Sequence, residues 1–309
     1  MTTLLLSHPA CLEHATPPGH PERPDRMRAV EAGLAEDRFN ILKRELAPEG
    51  TLESVALCHN EHYIEELRHV APTSGLVYLD GDTSMSPGTW EAVMRAVGGS
   101  VAATDAVMTG SVDNAFVATR PPGHHAEIGK PMGFCFFDHA AIAARHAQRK
   151  YGIGRVAVVD FDVHHGNGTQ DIFWSDPSAM YCSTHQMPLF PGTGASGERG
   201  DHDTIVNAPL ASGDGSAKFR AAFDNLILPQ LQKFAPELVI ISAGFDAHRR
   251  DPLASLNLDA EDFGWVTRKL MDVADSTAGG RIVSVLEGGY DLQGLKESVA
   301  AHVTALMGT

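Results

Sequence analysis

The chain runs to 309 residues, 43% of them hydrophobic and 20% charged. That balance can fill the core of one large α/β domain or two small ones, and it excludes an intrinsically disordered chain. A formal charge of −15 argues against a general nucleic-acid binder, which must present a basic face to phosphate.

Residues 1–10 have neither a basic start nor a long apolar run, so no signal peptide and no membrane span is expected. Thr3 to Ser7 reads as a short strand. The loop 14–26, rich in proline and histidine, leads into a helix over 25–36 with Met27, Val30 and Leu34 turned inward. Glu22, Arg23 and Arg26 fit a surface salt-bridge cluster. Arg26, which opens the helix from a constrained loop, also fits a buried polar channel. A second helix spans 61–70. Residues 76–85 read as a loop carrying Asp80, Asp82 and Thr83, and a long helix follows over 89–108, with Gly98 and Gly99 allowing close packing on a sheet.

The strand at 114–119 ends in Arg120-Pro121-Pro122-Gly123-His124-His125, and a helix follows over 138–150. The run Val156-Ala157-Val158-Val159 reads as a buried parallel strand, then changes to Asp160-Phe161-Asp162-Val163-His164-His165-Gly166-Asn167. A strand over 180–184 precedes the breaker-rich loop 188–194, which presents Phe190 at a pocket wall or anchors it in the core. A helix spans 217–234. The strand 238–243 runs into Gly244-Phe245-Asp246. A helix at 259–277 starts on Asp259 as its N-cap, and the strand 281–286 ends in Glu287-Gly288-Gly289-Tyr290, followed by a helix over 292–307.

Strand and helix alternate with no repeat and no linker. This predicts a single α/β domain over 1–309, with a mainly parallel central sheet flanked by helices and the active site at the carboxyl ends of the strands. The four cysteines, Cys11, Cys58, Cys135 and Cys182, show no CxxC spacing. That usage suits a reducing compartment, read as the cytoplasm, with Cys135 and Cys182 packing as small hydrophobes.

The strand ends collect His124, His125, Asp160, Asp162, His164, Asn167, Asp246 and Tyr290. Asp162 and His164 are two apart, which puts them on one side of a strand. With Asp246 they make three ligands, the number an open catalytic zinc site requires. His124 and His125 remain as an acid/base pair, with Asp160 and Asn167 available to set their protonation. Tyr290 is a neutral donor for a developing oxyanion. Such a set suits metal-assisted hydrolysis of an amide or ester.

These residues bring the chain to a family. It resembles the zinc-dependent histone deacetylases and their bacterial amidohydrolase relatives, of the arginase–deacetylase fold. The matching segments are HPERPDR (20–26), RPPGHHA (120–126), GFCFF (133–137), DFDVHHGNGTQ (160–170), FPGTG (190–194), AGFDAH (243–248) and LEGGYD (286–291). They span nearly the whole chain, and Asn167 points to the class II branch.

The resemblance implies a metal held by Asp162, His164 and Asp246, zinc by family habit, although Fe2+ tolerates the same donors. It implies His125 as general base with Asn167 as its partner, His124 paired with Asp160, and Tyr290 on the scissile carbonyl. Phe134 and Phe190 would flank the channel, and the carbonyl of Gly133 would accept the amide N–H. A structural K+ would sit on carbonyls of Asp160, Asp162 and His164 with the Ser183 hydroxyl. Arg26 would lie near an acetate-release path, and Asp82 or Thr83 at the rim.

Leu253 occupies the position where a polyamine-selective branch carries an acidic gatekeeper. That favours an acetyl-lysine peptide or another small acylated amine over a polyamine. An acetylpolyamine amidohydrolase, or a broad deacylase or esterase, is the alternative. A two-manganese ureohydrolase would need further aspartates where His-Gly-Asn-Gly stands. A non-catalytic acyl-lysine scaffold would lack a ligand or Tyr290. The chain is short for class II, which implies trimmed rim loops. No oligomeric state is read from it.

Overall fold

A strand buried on both faces must be apolar at every position, and the central runs of this chain are. Val156 and Val158 face one core while Ala157 and Val159 face the other, and Leu238 and Ile240 alternate in the same way with Val239 and Ile241. Each fully buried valine, leucine or isoleucine in such a run contributes roughly 1.5–3 kcal/mol. These strands are therefore specified on both sides at once.

The computed structural model describes residues 1–309. Its strands are β1 (Thr3–Ser7), β2 (Lys43–Leu46), β3 (Val77–Tyr78), β4 (Ser84–Met85), β5 (Asn114–Val117), β6 (Val156–Asp160), β7 (Ala179–Gln186), β8 (Ile205–Leu210), β9 (Leu238–Ala243) and β10 (Ile282–Leu286). Its helices are α1 (Asp25–Gly33), α2 (Leu52–Val55), α3 (Glu61–Val70), α4 (Thr89–Met108), α5 (His139–Tyr151), α6 (Asn167–Phe173), α7 (Ser216–Ala222), α8 (Leu228–Phe234), α9 (Ala260–Thr277) and α10 (Leu292–Leu306). Eight strands form one sheet in the order β2-β1-β5-β10-β9-β6-β7-β8, every pairing parallel. Helices α1, α7, α8, α9 and α10 cover one face, and α3, α4, α5 and α6 the other. No helix is long and apolar enough to cross a membrane.

The helix starts follow their caps. Asn60 accepts from Tyr63 N–H, Asp138 from Ala141 N–H and Asp291 from Gly294 N–H, while Asp259 and Asp262 form a reciprocal capping box.

Five sequence readings need correction. Helix α1 stops at Gly33, not at residue 36, because Leu34 leaves helical geometry at the C-cap. The stretch 76–85 holds the short antiparallel pair β3–β4. The helix expected over 217–234 is α7, a π-helical turn at Phe223–Ile227, and α8. Pro229, with no N–H to offer, accounts for the break in bonding. Edge strands β2 and β8 were not expected. Finally, β6 ends at Asp160, so Asp162 and His164 lie beyond it, and strand alternation does not bring them together.

All four cysteines are free and buried; Cys182 packs in the apolar core, whereas Cys135 lies outside both apolar clusters and its Sγ donates to the Gly133 carbonyl at 3.3 Å.

Candidate metal centre and its histidine pair

The turn after β6 does the work assigned to strand geometry. Asp162 N–H bonds Asp160 Oδ1 at 3.0 Å, and His164 N–H bonds Asp162 Oδ1 at 2.9 Å. These two bonds fold the chain so that the side chains of Asp162 and His164 converge. Asp246, just past β9 on the neighbouring strand, completes the group and fixes the turn by accepting Val163 N–H at 2.8 Å. His164 Nδ1 lies 3.2 Å from Asp162 Oδ1 and 3.1 Å from Asp246 Oδ2. One donor atom from each of the three falls within 4.8 Å of the others, and all three residues are buried.

The backbone is cleared around these carboxylates. A Cβ on Gly288 would stand 2.2 Å from Asp246 Oδ2 and 2.6 Å from Asp162 Oδ2, and one on Gly244 would stand 2.0 Å from Asp162 Oδ2. Only glycine fits at either place. Gly288 also donates its N–H to Asp162 Oδ2 at 2.8 Å.

The charge balance of the trio calls for a cation. Two carboxylates face one imidazole, with Asp160 and Glu287 buried close behind. Burial and the neighbouring Asp162 charge push Asp246 up to about 7. Against the opposing effect of burial, hydrogen bonds to Asp162 and Asp246 push His164 up to about 10. A divalent ion in place of that proton satisfies both acids, and one nitrogen with two oxygens is a donor set suited to zinc.

His124 and His125 sit beside the trio with ring centroids 4.1 Å apart. They titrate in opposite directions. Burial works against charge on both. At His124 it is outweighed by the carboxylates of Asp160, Asp162 and Glu287, and its pKa stands well above the usual range. At His125 burial, together with charge on His124 and His164, holds it well below. Adjacent groups pushed apart in this way can divide acid and base roles.

The partners differ accordingly. His124 Nδ1 meets Asp160 Oδ2 at 2.9 Å, and that oxygen also accepts the Tyr181 hydroxyl at 2.9 Å. His125 Nδ1 meets the neutral Asn167 Oδ1 at 2.8 Å. The backbone of the pair is pinned by Glu287, whose Oε2 accepts Gly123 N–H at 2.7 Å and His124 N–H at 3.2 Å. At the start of α6, the Gly168 and Thr169 N–H groups both reach His124 O, at 3.0 and 3.2 Å.

Tyr290 enters from the β10 turn, and no protein group accepts its hydroxyl. Burial keeps its pKa well above the usual range, so it stays a neutral donor. Its ring stands edge-on to Phe134, centroids 5.9 Å apart. Phe190, 40% exposed, packs on His125 at 5.1 Å. Gly133 fills the space between them, where any side chain would strike the His125 and Phe190 rings. Phe190 is therefore exposed beside the histidine pair rather than anchored in the core.

Thr83 is fully buried and not at a rim: its Oγ1 accepts Phe134 N–H at 3.1 Å, while the exposed Asp82 has its carbonyl 3.1 Å from His20 Nε2. Leu253 is half-buried, and its N–H bonds Asp251 Oδ1 at 3.0 Å. The other oxygen of Asp251 accepts Tyr290 N–H at 2.7 Å. Ser183 pairs with Asp160 in the sheet, and its hydroxyl meets His185 Nδ1 at 2.8 Å.

Glu22 overturns the surface-cluster reading. It is fully buried, and so are Arg26 and Arg120. Arg120 grips it through Nε at 2.7 Å and Nη2 at 2.5 Å, while Arg26 Nη1 reaches it at 3.1 Å. Arg26 also donates to the carbonyls of Gly289 and Glu287, and it stands 5.0 Å from the Tyr290 ring centre. Arg23 is the one of the three on the surface, paired with Asp25 at 3.6 Å.

Sequence reasoning passed over Glu287, Glu127, Asp251 and Tyr181. A signal for the two glutamates was present: each lies next to or within a chemistry-bearing motif, where a surface role is hard to sustain.

The model of the histone deacetylase domain matches residues 20–306. The chain belongs to that family. It is 38% identical to the histone deacetylase-like amidohydrolase of Pseudomonas aeruginosa, over 88% of this chain and 73% of that protein. It is also 38% identical to the mouse polyamine deacetylase HDAC10, over 93% of this chain and 45% of that longer protein. The crystal structure of the HDA15 HD domain superposes with a TM-score of 0.94 at 35% identity, covering 99% of this chain and 88% of that one. This deacetylase domain thus has the arginase–deacetylase fold and is a hydrolase of amide bonds.

Proposed function

We propose that the chain is a zinc-dependent deacetylase whose favoured substrate is an acetyl-lysine side chain, with residues 1–309 forming one catalytic domain. One juxtaposition carries this reading: three convergent metal donors beside an oppositely tuned histidine pair, under a mouth flanked by Phe134 and Phe190 where the Tyr290 hydroxyl has no partner.

A zinc ion held by Asp162, His164 and Asp246 would supply Lewis acidity to the scissile carbonyl and the attacking water. His125, neutral and with Nε2 free of protein partners, takes the water proton. His124, kept positive by Asp160, stabilises the developing negative charge and supplies a proton to the departing amine. Tyr290 donates to the oxyanion. The Gly133 carbonyl accepts the substrate amide N–H, Asp82 meets the substrate at the rim, and Arg26 borders the path by which acetate leaves. The carbonyls of Asp160, Asp162 and His164 with Ser183 form the K+ position of this reading.

Apolar Leu253 favours a neutral extended substrate at the gate. A polyamine is the second reading, favoured by the mouse relative's name. Turnover of zinc-loaded protein on an acetyl-lysine peptide and on acetylated polyamines, with and without a hydroxamate chelator, decides between them. Hydroxamate-sensitive cleavage of the peptide is expected. Cleavage of polyamines alone would reverse the reading of Leu253, and no cleavage of either would overturn the substrate class.

A further inference from the structure

The Asn167 amide has two chemically opposite ends, and which end faces His125 decides the histidine tautomer. Oδ1 only accepts and Nδ2 only donates. Oδ1 lies 2.8 Å from His125 Nδ1, and Nδ2 lies 2.8 Å from Glu127 Oε1. A carboxylate only accepts, so Glu127 draws the NH2 end to itself and leaves Oδ1 for His125. His125 must then carry its proton on Nδ1, with its lone pair on Nε2. The other neighbours of Nδ2 are a long contact to His125 O at 3.4 Å and the weakly accepting Met132 Sδ at 3.2 Å.

Glu127 is itself held in place. Its N–H bonds Lys130 O at 3.0 Å. Its carbonyl meets His59 Nδ1 at 3.0 Å, and His59 Nε2 accepts Asp138 N–H at 2.9 Å. The acceptor role of Nε2 makes Nδ1 of His59 the donor, so a buried neutral histidine ties the Glu127 backbone to the start of α5.

Resting on the function proposed above, we propose that Glu127 is a positioning residue: it orients the Asn167 amide and so keeps His125 Nε2 unprotonated, ready to accept the proton of the attacking water. The device is needed because residue 167 is an amide. A carboxylate there would accept from Nδ1–H through either oxygen and would need no orientation.

The test combines Glu127→Gln, Glu127→Ala and Glu127→Lys with wild type and with Asn167→Asp. The Gln carbonyl still accepts from Asn167, so Glu127→Gln should keep turnover close to wild type. Loss of the hydrogen-bond partner of a metal ligand costs about 10- to 100-fold, and orientation of the general base is set on the same scale. Glu127→Ala should fall near the lower figure in kcat and Glu127→Lys near the upper, because the ammonium donates to Oδ1 and turns the NH2 end toward His125. KM and zinc content should hold. In the Asn167→Asp background, Glu127→Ala should cost nothing further.

A loss of the same size in both backgrounds would overturn the proposal in favour of simple structural support. A second readout needs no activity. In metal-free protein at mildly alkaline pH, 15N shifts of His125, assigned by subtraction with His125→Gln, should report Nδ1–H in wild type and Nε2–H in Glu127→Lys. An unchanged tautomer would overturn the proposal. If wild type cleaves no substrate, the functional reading fails, while the 15N shifts still decide the role of Glu127.

Discussion

At Glu22 one buried carboxylate faces two buried guanidinium groups and His14, while at Asp162 and Asp246 two buried carboxylates face one imidazole. Both clusters lie near the carboxyl ends of the strands, and both are buried. The first is closed by its own atoms. The guanidinium groups that hold Glu22 also donate to the carbonyls of Cys11, His14, Gly289 and Glu287. The second has a surplus of acceptors aimed at one point, with Asp160 and Glu287 buried behind them. Burying unpaired charge is costly, and removing one member of a hydrogen-bonded buried cluster is costly too. A closed cluster therefore marks scaffold, whereas an open one marks a place for a cation.

Asp246→Ala attacks the open cluster. Zinc content measured by elemental analysis should fall below one per chain. Turnover should fall by more than about a hundredfold, beyond the loss expected for a ligand's own hydrogen-bond partner. Stoichiometric zinc with intact turnover would break the comparison. Glu22→Ala attacks the closed cluster and strands two buried arginines. Stability in urea should drop by about 3–5 kcal/mol, with zinc content of the folded protein unchanged. A drop under about 1 kcal/mol would mean that the arginines find other partners.

The smallest effect is in the pH dependence. Burial raises the Glu22 pKa, but the Arg120 and His14 contacts outweigh it and hold it well below the ordinary 4.5. A folded pKa below the unfolded one means that the unfolded chain takes up the proton first. The Glu22 contribution is therefore complete above 4.5 and is lost as pH falls toward the depressed folded value. Glu22→Gln should flatten the fall of the urea midpoint across that acid range. An unchanged slope would place the acid sensitivity elsewhere.

The elements legible in the sequence are those with a strong period. Helices at 61–70 and 89–108 and the strand at 238–243 match to the residue, because their apolar patterns are strong and Asn60 caps the first. Strand β2 was illegible because three of its four residues are charged and all are exposed. Strand β8 was hidden by Asn207 and Pro209, and a proline is tolerated there because β8 is an edge. The site was visible where apolar runs turn abruptly into Asp, His and Gly. What stayed hidden were the carboxylates of Glu22, Glu127 and Glu287, whose meaning depends on partners 98, 40 and 164 positions away. Their place beside a chemistry-bearing motif was the one local hint, and it does not name the partner. Leu253 and Ser183 were singled out only through the resemblance.

Asp251 has a consequence for how this enzyme can diverge. One of its oxygens holds the Leu253 backbone, and the other holds the backbone of Tyr290. Under the proposed function, the residue at the substrate gate and the residue that meets the reacting carbonyl thus hang from a single hinge pin. A lineage drifting toward a new substrate through this loop also shifts its own reaction rate. Changes of taste and changes of speed are inherited together, and variants that alter one without the other require a compensating change at Asp251.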